Sequence, residues 1–290
     1  MTTAPTNSAP NAAPAPAPTT LNLRGLEGRE VPARVVDFGS GRPFVFLHGL
    51  VGLNDHWEQS AHALGPHARA VMLEFPLLDL QGEDCSIHGV TELTIRFLER
   101  YVREPAVLVG NSFGGHVALR VAVDRPQLVS GLVLAGSSGL TERTTVREVQ
   151  LRPSREWLVE KIGELFFDRS KMNHGDVDRA HRELSRRGGA RAMVKLSRSA
   201  RRNHMGDRLS EIKAPTLLVW GKQDAVTPPE AADQFHQLIR GSKLVWLDRC
   251  GHAPMIEQPE QFASLLIDFN RSLSAAQPVP ATHSAAAAPR

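Results

Sequence analysis

Apolar residues fall along this chain in two alternating rhythms. One is a short continuous run of the kind a strand buried on both faces requires; the other is a three-to-four-residue period that makes one helical face apolar. Continuous runs at 43–47, 70–75, 106–110, 128–135, 216–220 and 243–247 predict buried strands. Periodic stretches predict helices from Trp57 through Ala61 and Leu64 to Gly65, with Asn54 or Asp55 as cap, and over 90–101, 113–124, 229–239 and 259–270. Pro126 ends the helix before it. Two further strands at 21–26 and 31–38, joined around Gly28, predict a hairpin at a sheet edge, and Gly39-Ser40-Gly41 is a turn.

Strands that alternate with helices make a mainly parallel sheet with helices on both faces, an α/β architecture. The alternation stops between 141 and 208, where helical periodicity alone persists. Trp157, Leu158, Ile162, Leu165 and Phe166 form one apolar face there. The expected organisation is therefore a core made of 21–140 and 209–274, with 141–208 as an inserted helical lid over the strand ends.

Composition trims both ends of this picture. Residues 1–20 are almost all Ala, Pro, Thr, Asn and Ser, and 275–290 repeat that bias, so both read as disordered tails. The first lacks the basic start and apolar middle of a signal peptide. No run approaches the ~20 apolar residues of a membrane span. Cys85 and Cys250 make no disulfide framework, which fits a reduced, cytoplasmic setting. A net charge of +3 gives no argument for nucleic acid. The expected partner is a small-molecule substrate, without nucleic acid or membrane, and the chain is expected to be a monomer or homo-dimer.

The candidate chemistry lies where runs end. The strand 106–110 leads into Gly110-Asn111-Ser112-Phe113-Gly114-Gly115, and a helix follows. A serine at such a strand-to-helix elbow is held in the open, where a base can activate it, and the flanking glycines let backbones approach closely. The helix that follows directs its N–H groups towards any oxyanion beside Ser112. Gly-x-Ser-x-Gly alone is a weak signal in a chain with 23 glycines. The strand before it, the helix after it, and an acid and a histidine downstream in the order Ser, Asp, His add the weight. Asp224 follows the strand 216–220, with Asp248 as the competing acid one strand later. His252 follows the strand 243–247, between Gly251 and Ala253-Pro254. His48-Gly49-Leu50 follows the strand 43–47, so an oxyanion has two candidate amide donors, Leu50 and Phe113. His48 itself is expected to brace its loop. Gly49, Asn111 and Ser137 lie at strand ends beside Ser112, as substrate contacts or as braces. His174, His181 and His204 lack paired ligand spacing, so neither a metal nor a cofactor is expected.

Together, residues 43–50, the elbow, Gly221-Lys222-Gln223-Asp224 and Gly251-His252 resemble the α/β-hydrolase fold family over nearly all of 21–274. The nearer likeness is to the lid-bearing branch that includes meta-cleavage-product carbon–carbon hydrolases and related esterases. It rests on Gly110 to Gly115 and on Asp224 with Pro228 beyond. The resemblance implies Ser112 as nucleophile, His252 as base and Asp224 as the group that orients it. The chain has His48-Gly49-Leu50-Val51-Gly52 where the carbon–carbon subfamily usually has a Gly-Pro-Gly-rich loop, and Ala253 where that subfamily usually has an aromatic. An ester, a lactone or a vinylogous diketone therefore stays open as substrate. A small-molecule receptor on the same fold and an acyltransferase are the rival classes.

One feature of the insert stands apart from this chemistry. Between 179 and 208, ten basic residues face only Glu183 and Asp207, a balance of +8. Arg187, Arg191, Lys195 and Arg198 share one helical stripe. The stripe is either a solvated face or a means of attracting a carboxylate-bearing substrate into the cleft.

Overall fold

In the computed structural model, which describes residues 16–142, 150 and 152–275, eight strands form a single sheet in the order β1-β2-β4-β3-β5-β6-β7-β8. The hairpin β1 (Thr19–Arg24) and β2 (Glu30–Phe38) is antiparallel, and β2 runs antiparallel to β4 (Arg69–Glu74). From there β3 (Pro43–Leu47), β5 (Ala106–Asn111), β6 (Val129–Ala135), β7 (Thr216–Gly221) and β8 (Lys243–Leu247) continue in parallel. This is the α/β-hydrolase fold, a mostly parallel sheet flanked by helices.

The continuous apolar runs have a direct cause. Successive side chains of a strand leave opposite faces, and here both faces are covered. In β3, Val45 and Leu47 enter the core on one side while Phe44 and Phe46 enter the core on the other. In β5, Ala106 and Leu108 part from Val107 and Val109 in the same way. Helices α2 (Ile87–Phe97), α3 (Phe113–Asp124) and α7 (Pro229–Leu238) cover the first face. Helices α1 (Glu58–Leu64) and α9 (Pro259–Ala275), which pack on each other, and the short α8 (Pro254–Glu257) cover the second.

Among the described residues between β6 and β7 stand three α-helices, α4 (Arg155–Gly163), α5 (His174–Ser185) and α6 (Gly189–Arg202). They share a small apolar cluster of their own, in which Leu158, Val177, Ala180, Leu184 and Ala190 pack with Leu78 from the loop after β4.

Local expectations shift at several edges. Thr19 and Thr20, assigned to the tail, are the first residues of β1, because Thr19 pairs with Val35 and Thr20 with Arg34 in the hairpin. Their polar, exposed side chains suit an edge strand with little to bury. The last helix runs to Ala275, beyond 270, and carries Leu273 into the core. Asn54 caps nothing with its side chain. Its amide instead donates to the Met72 carbonyl (3.2 Å) and its backbone N–H to Glu74 (3.0 Å), tying the loop after β3 to β4. The rest of the two expected tails, 1–15 and 276–290, lies outside the described residues, as does most of the stretch that follows β6 and Glu142.

Candidate active site

Ser112 sits at the turn between β5 and α3 with φ 53° and ψ −120°, a left-handed conformation that a non-glycine residue adopts only when its surroundings hold it there. What holds it is visible. Its carbonyl accepts hydrogen bonds from the backbone N–H of His116 (3.1 Å) and Ser138 (3.0 Å), and its own N–H reaches Gly136 O at 3.1 Å. Side chains at the flanking glycines are sterically excluded. A Cβ on Gly114 would run into the Leu47 carbonyl, and one on Gly110 into the backbone of Gly114 and Gly115. Only glycines therefore let α3 lie this close to β3 and β5.

The acid and the histidine come from the ends of β7 and β8. Asp224 Oδ2 accepts from His252 Nδ1 at 2.9 Å, with both residues buried. Asp224 Oδ1 accepts from the backbone N–H of Val226 (2.8 Å) and Thr227 (2.9 Å), and the Thr227 hydroxyl donates to Oδ2 at 2.8 Å. The carboxylate thus has four donors and a fixed orientation. With Nδ1 carrying its proton towards Asp224, Nε2 is the basic ring nitrogen. Burial works against a charged imidazole, but the Asp224 charge and hydrogen bond, with Glu142 adding to them, outweigh it and raise the His252 pKa above the ordinary value. Asp248, the competing acid, is exposed and paired with Lys222 at 3.4 Å.

Ser112 and His252 line one cavity of about 510 Å³, within the usual range of small-molecule sites. Ser112 Oγ makes no hydrogen bond to His252 in this structure. The loop after β3 supplies His48, Gly49 and Leu50 to the same cavity. Leu50 lines the cavity and Phe113 directly follows Ser112, and the backbone N–H of neither donates to an acceptor among the described residues. His48 is fully engaged: Nε2 accepts from the Phe75 N–H (3.3 Å), so Nδ1 is the donor to Gly49 O (2.7 Å). Burial holds its pKa down, and the neutral ring braces the loop.

Of the neighbouring polar residues, Gly49 and Asn111 reach the cavity. The Asn111 amide is nonetheless committed to Ala135 O (2.8 Å) and His252 O (3.0 Å), linking the elbow to the histidine loop. Ser137 does not reach the cavity. Its hydroxyl turns to Ser138 O (2.8 Å) and packs behind the elbow against Gly115. The basic stripe also faces elsewhere, and Arg187 does not belong to it, because α6 begins only at Gly189. On α6, Met193 and Ser197 line the cavity, while Arg191, Lys195 and Arg198 are exposed along a separate surface groove beside Ser86. Leu196 and Ala200 must pack inward, and a helix that buries them turns the stripe outward. Among the described residues no three His, Cys, Asp or Glu side chains converge as metal donors.

Several residues that shape the site were not singled out from sequence. Thr227 completes the Asp224 contacts, and Asp-x-x-Thr before two prolines is the local signal for such a turn. Gly136, at φ 50°, allows the acid–histidine pair to lie against the end of β6, since a Cβ there would stand 2.9 Å from His252 Nδ1. Glu257 accepts from the N–H of Gly251 (2.6 Å), Phe167 (2.9 Å) and Asp168 (3.1 Å), and His252 N–H donates to Leu165 O (2.7 Å). The histidine loop is thereby hydrogen-bonded directly to the chain that follows α4. Glu142, just beyond β6, brings a carboxyl to the cavity wall.

Comparison with known proteins agrees with the fold. The profile of the alpha/beta hydrolase family matches residues 44–265. A 2-hydroxy-6-oxo-6-(2'-aminophenyl)hexa-2,4-dienoic acid hydrolase of Metapseudomonas resinovorans is 28% identical over 267 residues, covering 86% of this chain and 89% of its own. A monoacylglycerol lipase of Bos taurus is 28% identical over 266 residues, covering 80% of this chain and 78% of its own. Among solved structures, a serine hydrolase involved in carbazole degradation superposes with a TM-score of 0.74 at 25% identity, covering 88% of this chain and all of that one (100%). No helix among the described residues is long and apolar enough to cross a membrane.

Proposed function

The chain belongs to the alpha/beta hydrolase family and is a hydrolase; from that premise we propose that it cleaves a small carbonyl substrate through Ser112, His252 and Asp224. The observation that carries this reading is the 2.9 Å Asp224–His252 contact, buried and opening into the same cavity as a serine in strained elbow geometry.

Ser112 Oγ attacks the carbonyl carbon as its proton passes to His252 Nε2. Asp224 keeps Nδ1 protonated and stabilises the imidazolium that forms. The amides of Leu50 and Phe113 receive the developing oxyanion, at the positive end of α3. The carbonyl–leaving-group bond then breaks, and His252 delivers its proton to the leaving atom. Water, deprotonated by the same nitrogen, cleaves the acyl-enzyme and returns the proton to Ser112. Serine and histidine need not touch beforehand, since such contacts often close only when substrate docks. Helices α4–α6 act as a lid that supplies the apolar side of the cavity. No cofactor takes part in this scheme.

Ser112→Ala should lower turnover of an aryl ester by about 10³-fold or more while leaving the protein folded. A fluorophosphonate probe should label wild type and not the variant. Unchanged turnover in the purified variant removes Ser112 from the mechanism. Labelling of Ser112 without multiple turnovers would identify a receptor instead, and product appearing on an added alcohol in preference to water would identify an acyltransferase.

A further inference from the structure

The charges on the cavity wall bear on which carbonyl compounds fit. Its insert side is largely apolar, with Trp157, Leu158, Ile162, Leu165, Phe166 and Met193, and carries Gln150, Lys161, Glu164, Asn173, Asp176 and Ser197 as its polar groups. The charged groups among the described lining residues are few, and acids outnumber cations. Lys161 is paired with Glu164 at 3.0 Å, and the His56 ring meets Asp176 at 3.1 Å, so both are already engaged by carboxylates on or beside the wall. Among the described residues no arginine lines the cavity.

Glu142 is placed differently. It lines the same cavity as Ser112 and His252. Burial raises its pKa above the ordinary carboxylate value, and the hydrogen bond at Gly139 and the charges of His252 and Arg201 only partly offset that. A desolvated carboxyl of this kind tolerates an imidazolium beside it, as the first step creates, but a second carboxylate brought next to it meets repulsion that water screens poorly. The apolar side adds a second penalty, because against Trp157, Leu158, Ile162, Leu165, Phe166 and Met193 a substrate carboxylate would lose its hydration without gaining a partner.

We propose that this cavity selects an uncharged ester with an apolar acyl group, and that Glu142 is the residue that turns carboxylate-bearing substrates away. The inference rests on Ser112 being the nucleophile. It also separates this chain from hydrolases of dienoic acids, whose substrates carry a carboxylate, and it assigns the Arg-rich stripe of α6 no part in substrate capture.

The test uses three 4-nitrophenyl esters of matched length: the hexanoate, the adipate hemiester with a free carboxylate, and the adipate with that carboxylate methylated. They are compared at low salt with wild type and Glu142→Gln, with active sites counted by fluorophosphonate labelling so that a poorly folded variant is corrected for. Wild type should favour both neutral esters over the hemiester by about 100-fold in kcat/KM, and Glu142→Gln should shrink that ratio by about tenfold, equivalent to one buried charge contact of ordinary strength. A wild-type enzyme that takes the hemiester as readily as the methylated adipate overturns the proposal without any variant. So does a ratio that Glu142→Gln leaves unchanged. If Ser112→Ala retains turnover, the nucleophile assignment fails first and this proposal falls with it. If Ser112 is essential yet charge is ignored, only this proposal fails.

Discussion

Removing the carboxylate of Glu257 should both loosen the fold and slow the reaction, by amounts that its contacts set. Its two oxygens accept three backbone N–H groups: Gly251 on one, Phe167 and Asp168 on the other. Gly251 is buried, so its N–H left without an acceptor costs about 1–3 kcal/mol. Phe167 and Asp168 are exposed, so water can replace the lost acceptor and each contact is worth about 1 kcal/mol. The sum for Glu257→Ala is about 3–5 kcal/mol, which in a domain of this size lowers Tm by about 10 °C. Glu257→Gln should fall close behind, because an amide offers one acceptor oxygen and turns an NH₂ towards donors at the other end. The catalytic effect follows from adjacency. Gly251 precedes His252, whose own N–H is held by Leu165 O at 2.7 Å, so a slackened loop should lower kcat/KM on an aryl ester by about tenfold or more, mainly in kcat. Thermal melts and steady-state kinetics on purified variants read both effects. If both variants melt within 1 °C of wild type, with kcat unaltered, the carboxylate does not hold the loop.

Two further outcomes concern protons. His252 accepts a proton only while neutral, and Asp224 holds its pKa above the ordinary 6.5 against the opposing effect of burial; the acid limb of kcat/KM should therefore lie above that value. Asp224→Asn should move the limb down and lower kcat by about 10⁴-fold, and an unshifted limb would show that Asp224 does not set it. His116 is buried behind the elbow, and burial, aided by the Arg120 charge, lowers its pKa to about 3. Between that value and 6.5 the unfolded chain binds a proton that the folded one does not, so stability falls as pH falls, by roughly 4–5 kcal/mol at most. Chemical denaturation at pH 7 and pH 4 should show the loss, and His116→Gln should shrink it; an equal loss in both proteins refutes the assignment.

The sheet strands, the elbow and the order of Ser112, Asp224 and His252 were all legible along the chain, for a shared reason. Each rests on local rules: continuous apolar runs where both faces are covered, glycine where backbones touch, and chemistry at strand ends. Thr19 and Thr20 escaped because an edge strand held by one partner needs no apolar signature. The rest had to wait for the folded chain. The α6 stripe has the same spacing whether it faces the cleft or water, and only the packing of Leu196 and Ala200 against the core turned it outward. Ser137 and Asn111 looked alike at their strand ends, yet one packs behind the elbow and the other joins it to the histidine loop. Glu142 and Glu257 are ordinary acids in the sequence. A carboxylate's role depends on how much water it has lost and which donors or charges surround it, and here those surroundings come largely from distant parts of the chain, such as Phe167 and Asp168 on Glu257 and His252 beside Glu142. Sequence therefore determined the strands, the elbow and the order of the candidate groups, while tertiary structure alone decided which acids are buried and what they touch.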